Sequence, residues 1–208
     1  MTDQLKKWQS EFGNEYVKRN QPDDTNILQR EALFTGIFMH IGNKLPKTIL
    51  EVGAGVGNNI VAINNLYRNI HRELEIKAVE PNLKAREYLN NINPFLGVEG
   101  DIFSIKASDY SFDMTFTSGV LIHIHPDHLL KAMQEMYRVT KNYILCMEYF
   151  NPTCAEIEYR GEYGMLWKND FGAIWLDNFP LRCVGYGFTW KRLSGIDNLT
   201  WWLFEKVN

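Results

Sequence analysis

Three glycines at alternate positions, Gly53, Gly55 and Gly57, follow the apolar run "TILEV", and Glu51 stands two residues before the first of them. A dinucleotide fingerprint is spaced G-x-G-x-x-G and sets a pyrophosphate at the start of the next helix. Here Asn58 occupies the place where that third glycine would fall. An ionised Glu51 beside a pyrophosphate is unfavourable on Coulomb grounds. The loop, with Ala54 between its glycines, suits a ligand that brings the backbone close without bringing phosphates.

Two further acids extend the pattern. Glu80 ends the run "LEIKAVE" and precedes Pro81, at about the interval where an acid takes up ribose hydroxyls. Asp101 follows "FLGVEG" in "GDIF", placed to accept a hydrogen bond from an adenine amino group with Ile102 against the ring face. S-adenosylmethionine answers this chemistry: an adenosine, no phosphate, a cationic sulfonium and an ammonium that Glu51 attracts directly or through water. Taken singly, each acid reads as a solvated loop carboxylate. As an ordered set at the ends of successive strands, they mark the edge where open α/β sheets bind ligands.

Methyl transfer from a sulfonium is an in-line displacement, so most of the protein's contribution is alignment. A hydroxyl acceptor also benefits from a base, and histidine suits neutral pH. The segment "GVLIHIHPDHL" supplies His123, His125 and His128, of which His123 and His125 are the candidates for base or acceptor contact. No cysteine or acid nearby completes a zinc set with them. Glu148 and Tyr149 end another strand, where Glu148 either orients an acceptor or forms a salt bridge. Beyond it lie Tyr159, Arg160, Trp167 and Lys168. Arg160 grips carboxylate or phosphate in a forked geometry, and Lys168 adds a point charge. Near the N-terminus, Tyr16 is the candidate lid contact, since an aromatic ring beside a sulfonium gains cation–π energy, and Arg19 is a candidate substrate contact.

The elements that must hold these residues alternate strand and helix. Asp23–Asp24–Thr25 opens a helix that closes near Gly42 and Pro46. Strands follow at "KTILEV", "LEIKAVE", "FLGVEG", "SFDMTFTSG" and "KNYILCMEYF", separated by helices, with Pro126 tolerated at the start of one of them. Such spacing implies right-handed crossovers and a parallel sheet. Two final runs, "LRCVGYGFTWKRL" and "LTWWLFEKV", are separated by "SGIDN" and predict a terminal antiparallel hairpin. At 208 residues a single domain is expected: an N-terminal helical cap over 1–45, a cofactor-binding core over 46–150, and an acceptor-side segment with the hairpin over 151–208.

The composition, 45% hydrophobic and 23% charged with a net charge of −3, is that of a soluble globular chain. It gives no support for a nucleic-acid surface, which carries a basic excess. No apolar run is long enough to span a bilayer, and "MTDQLKKWQSEFGNEY" lacks the apolar segment of a signal peptide. Cys146, Cys154 and Cys183, odd in number and without metal spacing, read as free thiols of a cytoplasmic protein.

"ILEVGAGVG", "AVEPN", "GDIF" and "FDMTFTSGVLIHIHPDHL" together resemble the ordered motifs of the class I S-adenosylmethionine-dependent methyltransferases. The resemblance implies a Rossmann-like seven-stranded sheet of order 3-2-1-4-5-7-6, strand 7 antiparallel, with helices on both faces. It also brings Ser118 and Gly119 into the cofactor-binding set. A narrower resemblance, carried by "EFGNEYVKRN", "YILCMEYFNP", "EYRGEYGMLWKNDFG" and "VGYGFTW", is to the methylases associated with pseudaminic acid biosynthesis. It implies a small-molecule acceptor, a sugar or sugar nucleotide. The alternatives are a methyltransferase for protein or nucleic acid and a non-catalytic S-adenosylmethionine-binding protein.

Overall fold

Ile49, Leu50 and Val52 are all buried, so the strand Thr48–Val52 (β1) is apolar on both faces, as a central parallel strand must be. The computed structural model describes residues 2–93 and 96–207. Around β1 it builds a seven-stranded sheet from β2 (Glu75–Glu80), β3 (Gly97–Glu99), β4 (Phe112–Ser118), β5 (Thr140–Glu148), β8 (Leu181–Phe188) and β9 (Thr200–Lys206). The short strands β6 (Ala155–Glu156) and β7 (Trp167–Lys168) form a separate ribbon. Phe95, the first residue of the expected third strand, lies outside the described residues.

The sheet order is β3-β2-β1-β4-β5-β9-β8. β1 to β5 pair in parallel, while β9 runs antiparallel to both β5 and β8. With the ribbon strands left out of the count, this is the order 3-2-1-4-5-7-6 with strand 7 antiparallel. Helices cover both faces. On one face α3 (Asp24–Phe38) and α4 (Asn58–Asn69) pack Phe34, Ile37, Ile60 and Ile63 against β1 and β4, with α5 (Leu83–Ile92) adding Leu89. On the other, α6 (Pro126–Val139) and α7 (Phe171–Asn178) contribute Met133, Met136 and Trp175.

Caps place these helices. The Asp23 carboxylate accepts from Asn26 N at 2.9 Å, the Asn82 side chain from Ala85 N at 3.0 Å, and Asp170 from Ala173 N at 2.9 Å. The first residues form two short helices, α1 (Asp3–Trp8) and α2 (Glu11–Arg19), that lie across the carboxyl edge of the sheet. α3 belongs instead to the body of the fold.

The terminal hairpin differs from expectation at its connection. β8 stops at Phe188, and "WKRL" is not strand: Lys191–Ser194 forms a helical turn, α8. Its Leu193 and Ser194 amides donate to Trp190 O, and Asn198 Oδ1 accepts from Lys191 N at 2.9 Å. The β8–β9 pairing runs one residue past Phe188, with Thr189 N donating to Leu199 O at 2.8 Å, and these local bonds take over from there.

Phe34 ties α3 to the sheet. Its ring, wholly buried, sits 5.7 Å from Phe116 of β4 and 5.9 Å from Phe38. Phe34→Ala is expected to lower unfolding free energy by about 3–5 kcal/mol, read as a lower urea midpoint at unchanged slope.

Candidate cofactor and acceptor site

The ends of β1, β2, β4 and β5 lie side by side at one edge of the sheet, where β1 and β4 send their following helices to opposite faces. The glycine loop crosses this switch point. Gly53, Gly55 and Gly57 all have positive φ, at 75°, 54° and 90°. At Gly53 a Cβ would also meet Val120 Cγ2 at 2.6 Å, so the loop can press against the turn after β4 only with glycine there.

Glu51 is buried behind this loop. Its Oε1 accepts from Asn59 Nδ2 at 2.6 Å, and Asn59 Oδ1 in turn accepts from Arg30 of α3. Its Oε2 is buried and has no hydrogen-bond partner among the described residues, a condition shared by Asn58 Oδ1. Burial pushes the Glu51 carboxyl up to about 8, against the opposing pull of Asn59 and Arg30. A cationic or N–H-bearing ligand beside Oε2 would complete the group.

Two cavities meet at the loop, sharing Tyr16, Gly53, Gly55, Ser118, Gly119 and His123. The first, about 110 Å³, runs along the ends of β2 and β3, past Glu80, Pro81, Asp101 and Ile102. Glu80 is committed to the backbone: Oε2 accepts from Gly55 N and Oε1 from Asn82 N, both at 2.8 Å. It therefore sets the loop's shape while also lining the cavity. Asp101 Oδ1 accepts from Phe103 N at 2.8 Å. Trp8 and Tyr16, from α1 and α2, form the roof, and their rings meet edge to face at 5.4 Å.

The second cavity, about 440 Å³, is lined by Glu51, Ala54 and Asn58 on its floor and by Arg19, Tyr149, Tyr159 and Arg160 on its walls. His123 stands between the two. It is buried, with Nδ1 2.6 Å from Met165 O and its ring 4.7 Å from Trp8 and 5.1 Å from Tyr159. A carbonyl can only accept, so Nδ1 carries the proton and Nε2 is the bare nitrogen. Burial holds this imidazole down at about 4, so it is neutral at physiological pH.

Four expected contacts fall elsewhere. Glu148 reaches neither cavity: it is wholly buried and accepts from Val120 N, Leu121 N and Ile122 N at 3.2, 3.0 and 3.3 Å. It pins the turn that carries His123 and has no reach to an acceptor. His125 caps α6, accepting from Asp127 N at 3.2 Å, and its ring rests 5.2 Å from Trp167. Trp167 is buried in the ribbon strand β7 beneath that cap. Arg160 and Lys168 do not act together, because Lys168 lines a separate outer opening.

Arg30, Asn59 and Trp8 are among the residues that sequence reasoning missed. Asn59 adjoins the glycine loop and was within reach of that motif. Arg30 and Trp8 come from segments whose packing over the sheet edge no local pattern specifies. Among the described residues, no cluster of three His, Cys, Asp or Glu side chains could hold a metal ion, and no helix is long and apolar enough to cross a membrane.

A family model described as a methyltransferase domain matches residues 50–144. That stretch runs from β1 into β5 and contains the glycine loop, Glu80, Asp101 and His123. Among solved structures, the chain is similar to the 1,6-didemethyltoxoflavin-N1-methyltransferase of Burkholderia thailandensis, crystallised with 1,6-didemethyltoxoflavin and S-adenosylhomocysteine. The TM-score is 0.70 at 13% identity, over 96% of this chain and 87% of that one. It is likewise similar to a magnesium protoporphyrin IX methyltransferase of Synechocystis with bound S-adenosylmethionine (0.67, 10%, 100% and 99%). A third is an S-adenosylmethionine-dependent methyltransferase of Aquifex aeolicus (0.64, 16%, 93% and 98%). The fold is the one these S-adenosylmethionine-dependent methyltransferases share. No curated protein sequence matches this chain.

The raised Glu51 carboxyl makes the ligand-free protein sensitive to pH. An unfolded glutamate ionises near 4.5, and the folded one near 8. Between those values the unfolded chain holds fewer protons, so stability falls as pH rises and levels off above 8. Urea midpoints at pH 5 and 8.5 should therefore drop less in Glu51→Gln than in the native protein. An equal drop in both would refute the assignment.

Proposed function

We propose that this protein is a methyltransferase that moves the methyl group of S-adenosylmethionine to a hydroxyl or amine of a small anionic molecule in the cytoplasm. The acceptor proposed is a sugar or sugar nucleotide of the pseudaminic acid type. The observation that carries the cofactor reading is the Glu51 carboxylate: buried, held on one oxygen by Asn59, and unpartnered on the other at the floor of the larger cavity. The ligand's ammonium answers that oxygen. Asp101 and Glu80 would hold the adenine amine and ribose hydroxyls, Ile102 would pack on the adenine ring, and Tyr16 would close over the ligand. When bound, the cofactor supplies an electrophilic methyl group on a sulfonium that leaves readily.

Support for the acceptor reading comes from two sides. The motifs along the whole chain resemble the pseudaminic acid-associated methylases, and Arg19 and Arg160 give the larger cavity two guanidinium groups suited to carboxylate or phosphate. His123, neutral and with Nε2 bare, can accept a hydrogen bond from an acceptor hydroxyl and fix its lone pair toward the methyl group. With its basicity lowered by burial it orients more than it deprotonates, and positioning is the larger part of the rate.

Calorimetry with S-adenosylhomocysteine tests the cofactor reading. Binding is expected, weakened about tenfold or more by Asp101→Ala, since a hydrogen bond to a charged group is lost. At pH 7 the protonated Glu51 should release close to one proton when the ammonium arrives, seen as a dependence of binding heat on buffer ionisation enthalpy and absent in Glu51→Gln. No binding heat at any concentration would end the proposal. Labelled-cofactor assays with nonulosonic acids, nucleotide sugars, protein and RNA then decide the acceptor, and methylation of macromolecules alone would overturn the small-molecule reading.

A further inference from the structure

A third opening, about 600 Å³, adjoins the larger cavity and shares Tyr149, Lys191 and Asp197 with it. The threshold is a bonded pair: Tyr149 OH donates to Asp197 Oδ2 at 3.1 Å, and Lys191 Nζ holds Asp197 Oδ1 at 2.8 Å. The Asp197 carbonyl accepts from Thr189 Oγ1 and from Leu199 N, so the loop bearing this pair is fixed to the sheet.

The walls of the opening combine two chemistries. Phe150 and Phe188 are 46% and 60% exposed, so each presents ring surface that the fold leaves uncovered. Lys168 Nζ lies 5.8 Å from the Tyr149 ring centroid, with no carboxylate within 4.0 Å among the described residues. Because Asp197 offsets only one of the two lysines, the opening carries an excess positive charge. Asn198 spends its Oδ1 on Lys191 N, which leaves its amide hydrogens to donate.

We propose that this outer opening binds a nucleoside diphosphate, the carrier part of an acceptor whose sugar extends past the Tyr149–Asp197 pair into the inner cavity. A simple anion would use the lysines and leave the phenylalanines idle. An uncharged ring would stack on the phenylalanines and leave an ammonium unneutralised. A base linked to a diphosphate uses both, and stacking on phenylalanine tolerates any base. The proposal rests on the methyltransferase reading for what the sugar does, but binding at the opening can be measured separately.

The test is calorimetry on the full chain with uridine diphosphate, adenosine diphosphate, inorganic pyrophosphate and uridine, with and without S-adenosylhomocysteine. At least one diphosphate nucleotide should bind, with pyrophosphate and uridine each at least about tenfold weaker. Lys168→Gln and Phe188→Ala, neither of which lines the two inner cavities, should each weaken nucleotide binding about tenfold and leave S-adenosylhomocysteine affinity unchanged. Pyrophosphate binding as tightly as the nucleotides would overturn the proposal. So would nucleotide binding that either variant leaves intact, or that competes with S-adenosylhomocysteine. If S-adenosylhomocysteine binds and no nucleotide does, this proposal falls and the cofactor reading stands. If nucleotides bind as expected and S-adenosylhomocysteine does not, the opening is confirmed and the cofactor reading falls.

Discussion

A carboxyl group buried with one oxygen unpartnered is costly to ionise unless something outside the chain completes it, and Glu51 sits in that state beside the central strand. Much of the surrounding structure serves to keep it there. β1 carries it to the switch point, the positive-φ glycines turn the chain away before it can be covered, and Asn59 on the first turn of α4 holds one oxygen. Arg30 holds Asn59 from across α3, which Phe34 fastens to the sheet. The site therefore extends into two helices, α4 through Asn59 and α3 through Arg30, both of which line the larger cavity.

Three glutamates lie buried at this edge of the sheet, and their environments divide the work. Glu80 and Glu148 are satisfied by backbone amides: Glu80 by Gly55 and Asn82, Glu148 by three consecutive residues after β4. Each fixes a loop. Backbone N–H groups offset desolvation for both, yet burial still raises both carboxyls, Glu148 to about 7. Glu51 alone of the three keeps an oxygen open, and an open acceptor is what a cationic ligand can use. A wall-building acid and a ligand-binding acid thus look alike in sequence and differ only in how many amides the following loop turns toward them.

That difference explains what the sequence made legible. The alternation of strands and helices, the parallel sheet with its antiparallel ending and the ordered motifs at the strand ends all follow from local patterns, and they recur in the structure. The glycine loop and the domain match over residues 50–144 belong to the same legible part. Glu148 was misread because its three amide partners lie 26 to 28 residues away and become neighbours only when β4 and β5 pair. His125 and Trp167 were misread for a related reason: each looked available, and they pack on one another. Lys191 and Asp197 are absent from the sequence-derived site because Lys191 falls in a run that reads as strand and Asp197 in the loop after it, whereas Lys191 opens the helical turn α8 and both line the larger cavity.

His123 links the two halves of the roof. Trp8 of α1 lies on one side of its ring and Tyr159 on the other, and Met165 O accepts from its Nδ1. The N-terminal arm and the segment around β6 and β7 are joined again at Lys7 and Glu162, and at Gln4 Nε2, which donates to Gly164 O at 3.0 Å. The arm roofs the smaller cavity and the β6–β7 segment walls the larger one. The arm over the first cavity therefore shares contacts with the segment that shapes the second. A histidine held neutral by burial suits this position, since a charged ring so far from water would cost desolvation energy. The imidazole that joins the two cavities is thus fixed from both: its ring lies beside Trp8 and Tyr159, and its tautomer is set by Met165 O.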